Sequence, residues 1–245
     1  ENISMPYHFY NSEVTNIIDE SHNTKRFFFR IPEVEDFKFG AGQFVMLDLP
    51  IDSKIKTRSY SIASAPNGTN TIELLISLNE QGLGTPYLFN HIKVGSQLPL
   101  SQPAGKFMQP PFTNIDTDVC LICTGTGIAP FRAFLHDIKN RNIPHKNIDV
   151  IFGSRYEKDI LYRKEMEELA QTLPGFRYTS VLSREQSPAY TGEKGYVHAA
   201  YEKLYADKRP ALFYLCGWKV MIKEAREKLL AMGYDKKVIK FELYD

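Results

Sequence analysis

Val119-Cys-Leu-Ile-Cys-Thr-Gly-Thr-Gly-Ile-Ala-Pro-Phe-Arg-Ala-Phe-Leu135 joins an apolar run to a glycine-rich turn and then to a helical pattern. A strand covered on both faces reads as such an unbroken run. In the turn, Thr124-Gly125-Thr126-Gly127, the glycines let the backbone approach a phosphate, and the helix that follows offers its N-terminus to the anion. Pro130 stands where a first-turn proline is tolerated. The spacing is not the Gly-x-Gly-x-x-Gly fingerprint, and no acidic residue follows about twenty positions on to hold a ribose. Many strand–helix junctions carry such a turn and bind nothing. The stretch alone therefore argues for a strand–turn–helix unit and leaves its ligand open.

Further along, Ile148–Ser154, Phe176–Ser183 and Ala211–Gly217 are similar apolar runs. Helical patterns cover Pro130–Arg141, Tyr162–Leu173 and Val220–Met232, the last with Met221, Ala225 and Leu229 on one face. Alternation of this kind predicts right-handed crossovers and an α/β doubly wound parallel sheet. Upstream the rhythm differs. His8–Ile17, Thr24–Pro32, Gly42–Pro50, Lys56–Ser64, Thr71–Leu78 and Gly95–Pro103 are short and rich in β-branched and aromatic residues. Turn clusters such as Pro66-Asn67-Gly68 separate them. With one short helical candidate, Thr85–His91, they predict a six-stranded antiparallel β-barrel, whose closure removes free edges. Two domains follow, 1–112 and 113–245, punctuated by Pro110-Pro111.

Of the 245 residues, 43% are hydrophobic and 24% charged, an ordinary globular composition. A net charge of +1 gives no reason to expect nucleic acid or a membrane surface. No apolar run is long enough to span a bilayer, and the polar Glu1–Asn11 segment carries no signal-peptide pattern. Cys120, Cys123 and Cys216 argue against a disulfide framework and for a reducing, cytoplasmic setting; they are too few for a four-cysteine iron–sulfur cluster. Cys120-x-x-Cys123 has redox or metal spacing but lies in an apolar run without a second ligand pair, so no metal site is expected.

Arg58-Ser59-Tyr60-Ser61 falls on a predicted strand, with Arg58 and Tyr60 on one face and Ser59 and Ser61 on the other. A guanidinium suits a phosphate and a tyrosine ring a flat aromatic group, although a core tyrosine beside a solvated arginine gives the same pattern. Gly82-Leu83-Gly84-Thr85 precedes the short helix and offers a second anion site through its amides and the Thr85 hydroxyl. Three more segments keep step with these: Phe39-Gly40-Ala41-Gly42-Gln43-Phe44, Pro103-Ala104-Gly105-Lys106-Phe107 and Leu215-Cys216-Gly217-Trp218. Together, in this order and over nearly the whole chain, the motifs resemble the ferredoxin–NADP reductase family. One departure is that the Pro103 segment lacks the family's preceding glycine.

The resemblance implies an FAD-binding domain followed by an NAD(P)-binding domain. It implies that the Arg58–Ser61 strand, Ser59 included, lines the flavin: Tyr60 packs on the ring, Arg58 neutralises the diphosphate, and the Ser61 hydroxyl sits near N5. Gly82, Gly84 and Thr85 would hold phosphates, a turn that favours FAD over FMN. Thr124, Gly125, Thr126 and Gly127 would approach the pyrophosphate of the nicotinamide nucleotide, with Cys216 and Gly217 beside the nicotinamide. A small buried residue without chemistry is the plain alternative for Cys216. Ser183-Arg184 and Lys194-Gly195-Tyr196 resemble the residues that surround the 2′-phosphate of NADPH, with NADH as the alternative. Tyr244 would be the terminal aromatic residue that stacks on the flavin, although Asp245 follows it and a strand with one outward tyrosine fits equally.

The implied activity is transfer of hydride from NADPH to flavin and of single electrons to a separate protein: ferredoxin, flavodoxin, an oxygenase component or a cytochrome. Two other readings compete, a reductase component of an oxygenase or haem protein, and a nucleotide-sensing subunit without turnover. The intact Arg58, Tyr60 and Ser61 speak against the sensor.

Overall fold

The computed structural model describes residues 7–108 and 112–244, so the Pro110-Pro111 boundary lies outside the described residues. The chain divides into two compact units, Glu1–Pro111 with Arg132–Asp137, and Phe112–Phe131 with Ile138–Asp245.

In the first unit, β1 (Phe9–Ser21), β2 (Thr24–Arg30), β3 (Phe44–Ile51), β4 (Lys54–Ser61), β5 (Thr71–Ser77) and β6 (Gln97–Ser101) form an antiparallel sheet. Their order is β4-β3-β6-β1-β2-β5, and the Ile62–Leu74 bridge draws the two ends together into a barrel. Val14, Phe27, Phe29, Val45, Leu47 and Leu49 are fully buried inside it. Each such side chain stabilises the fold by about 1.5–3 kcal/mol. The helix α1 (Gly84–His91) adds Leu88 to the same core. Asp52 and Ser53, at φ 53° and 59°, make the tight two-residue turn between β3 and β4. That turn sets a register with Tyr60 opposite Val45 and Arg58 opposite Leu47.

The second unit holds β7 (Asp118–Thr124), β8 (Ile148–Ser154), β9 (Phe176–Leu182), β10 (Glu193–Lys194), β11 (Ala211–Trp218) and β12 (Ile239–Tyr244). All pair in parallel, in the order β10-β9-β8-β7-β11-β12. The helices α3 (Arg163–Thr172), α4 (Val197–Leu204) and α5 (Lys219–Ala231) belong to this unit, and α2 (Ala129–Arg141) begins and ends in it. The chain steps outward from β7 to β10, then returns to β11 on the other side of β7. The crevice outside the strand ends at that reversal is where open α/β sheets receive ligands. The helix α4 has no counterpart among the helical patterns of the sequence: its two turns are too short for periodicity to register, although they bury Val197, His198 and Tyr201. Buried charge is compensated: Asp149 accepts from Arg177 and from the Tyr205 hydroxyl. Among the described residues no helix is long and apolar enough to cross a membrane.

Candidate functional site

In the first unit the fold lays Arg58 across the start of α1. A Cβ placed on Gly84 would stand 3.1 Å from Arg58 Cγ and 3.4 Å from Leu49 Cδ1. No side chain caps this helix end. The guanidinium donates to the Thr57 carbonyl at 2.8 Å and is otherwise exposed. First-turn amides lack intrahelical acceptors and carry the positive end of the helix dipole. A cation held against that end is repelled by it, and an anion seated there satisfies both. Thr85 and Gly82 shape the loop. The Thr85 hydroxyl accepts from Asn79 N at 2.8 Å and donates to Asn79 O at 3.3 Å, while Gly82 N donates to Asn79 O at 3.0 Å. The amides of Gly84 and Thr85 are then the donors left for a ligand, because Pro86 has no N–H and Tyr87 N donates to the Leu83 carbonyl. Tyr60 packs half-buried against the barrel core, and burial raises its pKa to about 12, with the Arg58 charge opposing, so it stays a neutral phenol. Ser59 is exposed and Ser61 buried.

In the second unit the ends of β7 and β11 touch through glycines. A Cβ on Gly127 would lie 2.4 Å from the Cys216 carbonyl oxygen, and one on Gly217 would lie 2.3 Å from Thr124 Oγ1. Trp218 N donates to that same hydroxyl at 3.1 Å. Gly127 is thus demanded by backbone contact. Gly125 is not: nothing stands within 4 Å of its Cβ position. The 3-10 turn Gly125–Ile128 leads directly into α2, and Thr126 is half-buried in it.

Cations and hydroxyls gather at the carboxyl ends of the neighbouring strands. Ser183 N and Oγ both donate to the Ser154 carbonyl, at 3.0 and 3.2 Å, and Arg184 N donates to the Arg155 carbonyl at 2.9 Å. Lys194 pairs with Leu182 across β10 and β9, which sets it beside the Ser183-Arg184 turn; its Nζ donates to the Ser187 carbonyl at 3.2 Å. Tyr196, 74% exposed, follows. The Glu185 carboxylate accepts from Glu157 N at 3.0 Å and from Ser187 N at 2.9 Å. These amides, Glu157's first, hold its pKa below the usual carboxylate range. Two further residues, neither given a role by the sequence, lie at these strand ends. Arg155 follows β8 and its guanidinium lies 5.0 Å from the centre of the Trp218 ring, at the end of β11. Position alone marked them: each falls at the carboxyl end of a parallel strand.

Cys216 is fully buried, and burial, then the Glu242 charge, pushes its thiol well above the ordinary range despite a hydrogen bond with Tyr244. Tyr244 ends β12 in register with Trp218. Cys216 therefore meets the turn through its backbone, and its thiol is protonated. Cys120 and Cys123, three apart on one strand, point to opposite faces, and burial raises both thiols strongly.

Residues 11–108 match the oxidoreductase FAD-binding domain family and residues 121–227 the oxidoreductase NAD-binding domain family. The chain is 35% identical to ferredoxin–NADP reductase B of Sorangium cellulosum over 217 residues, covering 85% of this chain and 86% of that one. The chain belongs to the ferredoxin–NADP reductase family. It is 27% identical to the glycine betaine monooxygenase reductase subunit of Chromohalobacter salexigens, covering 92% of this chain and 61% of that one. The crystal structure of a cytochrome P450 reductase from Amycolatopsis superposes with a TM-score of 0.87 at 26% identity, covering 99% of this chain and 71% of that one.

As a ferredoxin–NADP reductase-type enzyme, the protein is an oxidoreductase with FAD-binding and NAD(P)-binding domains. The residues present fit those groups. The uncapped α1 terminus with Arg58 stacked over Gly84 suits a diphosphate, and the open space at Gly125 lets a second phosphate group reach the backbone of the β7 turn.

Proposed function

We propose that this reductase oxidises NADPH in preference to NADH and passes electrons singly to a separate protein, a ferredoxin or flavodoxin. In this reading residues 1–112 form the FAD domain and 113–245 the nucleotide domain, in the cytoplasm, a setting supported by three free buried thiols. The observation that carries the nucleotide preference is the grouping of Ser183, Arg184 and Lys194 at the adjoining ends of β9 and β10. Two cations and a hydroxyl suit a phosphomonoester, and Tyr196 offers an exposed ring beside them.

When bound, FAD supplies the exchange between one two-electron hydride transfer and two one-electron transfers. The chain's own residues bind, orient and shield. Arg58 and the α1 amides would hold the cofactor diphosphate, and Tyr60, neutral and half-buried, would offer a ring face to the flavin. Ser59 would add a hydroxyl at the exposed side of the same strand, and buried Ser61 a hydroxyl able to hold or move a proton at N5. Thr124, Gly125 and Thr126 would receive the nucleotide pyrophosphate, with Gly127 and Gly217 keeping the two strand ends together. Cys216 and Tyr244 would pack beside the nicotinamide.

Anaerobic mixing with each nucleotide, following the oxidised flavin band, tests the reading. Rapid bleaching by NADPH and slow bleaching by NADH are expected; equal rates would remove the preference. The Chromohalobacter relative supports a second reading, in which the acceptor is an oxygenase component. Cytochrome c-free turnover assays with purified ferredoxin, flavodoxin and oxygenase components separate the two.

A further inference from the structure

The β12 strand closes one side of the parallel sheet: β11 pairs with it on one flank, and among the described residues no strand lies on the other. A bare edge is a template for a further strand. Natural edges are commonly guarded by a charge that meets nothing favourable in any added strand. This edge carries charges of opposite sign placed symmetrically about Phe241, in Ile239-Lys240-Phe241-Glu242-Leu243. Phe241 is 41% and Leu243 44% exposed, and Lys240 is exposed as well.

We propose that β12 is a self-complementary edge through which two copies of this chain pair antiparallel, centred on Phe241. That register sets Lys240 opposite Glu242 of the second copy, twice, on one face of the sheet. On the other face Phe241 meets Phe241, and Ile239 meets Leu243. Directly opposed residues share a face, so the charged pairs and the apolar pairs separate cleanly. Registers centred on Lys240 or on Glu242 oppose like charges, and registers centred between residues oppose unlike side-chain classes. Only the Phe241 centre resolves both. Arg226 lies 4.3 Å from the centre of the Phe241 ring and holds that ring on the α5 face of the sheet, where its partner ring would meet it. One six-residue strand is a small interface, so the dimer is weak and concentration-dependent. Pairing at β12 requires neither a particular nucleotide nor a particular acceptor.

Sedimentation velocity of the FAD-loaded protein across a hundredfold range of concentration is the test. A reversible monomer–dimer equilibrium is expected. Lys240→Glu and Glu242→Lys, each alone, should weaken it about tenfold or more by opposing like charges twice. The double variant K240E/E242K should restore it, because the swapped charges remain complementary. Restoration also shows that neither substitution acts through misfolding. A wild-type protein that is monomeric throughout would overturn the proposal, as would a dimer unmoved by either single variant or a double variant that fails to recover.

Discussion

The anion cradles proposed for the two units are built by different means. In the first, a side chain makes the site: Arg58 lies over Gly84 at an uncapped helix end, on a strand whose register a tight turn has already set. In the second, the backbone makes it: Gly127 and Gly217 let the ends of β7 and β11 touch, and the cations stand apart on separate strand ends. A side-chain cradle can lose its ligand and keep its fold. A backbone cradle cannot lose its glycine without parting two strands.

The strongest challenge to that contrast is Gly127→Ala. Its new methyl carbon would stand 2.4 Å from the Cys216 carbonyl oxygen, which belongs to backbone and cannot swing away. A loss of about 2–3 kcal/mol in urea denaturation is expected. Gly125→Ala, at φ 54° with open space around it, should lose only about 1 kcal/mol through its left-handed backbone. Equal losses would mean that contact between the strand ends is not what the second cradle depends on. Next comes Arg58→Ala. FAD should bind about tenfold to hundredfold more weakly, while circular dichroism stays unchanged. An unfolded variant would erase the distinction between the two cradles. Arg184→Ala should then weaken NADPH about tenfold and NADH scarcely at all, read as dissociation constants by titration. Equal loss for both nucleotides would retire the 2′-phosphate assignment.

The smallest effect is expected from Glu185→Gln, which keeps the shape of the loop brace but not its charge. Because the folded pKa of Glu185 is lowered, chiefly by the Glu157 amide, its contribution is complete above the ordinary carboxylate pKa. It fades as pH falls through the lowered folded value. NADPH affinity should therefore differ between wild type and variant at neutral pH, about twofold, and converge in acid. A difference that persists in acid would show that the brace does not act through its carboxylate.

Strand content was legible because alternation in the barrel and unbroken apolar runs in the sheet are local signals, and glycine-rich turns punctuated both. The pairing order was not: nothing local tells β6 to lie between β3 and β1. Of the candidate site, the Arg58 strand and the Thr124 turn were visible as motifs, yet the role of Gly127 was not. Its need for glycine comes from Cys216, far along the chain, and only the switch in strand order brings that carbonyl near. Arg155 escaped for the same reason, since a residue following a strand looks like loop until the strand ends are aligned, and its contact with Trp218 was invisible with it.

Trp218 has a practical consequence. It is the chain's one tryptophan, it sits at the carboxyl edge of the sheet, and a guanidinium rests on its ring. Ultraviolet emission from the protein therefore comes with a built-in address. Drawing Arg155 toward a phosphate should change the brightness of a single indole, so occupancy of this edge can be followed by intrinsic fluorescence, with no label attached and no turnover required.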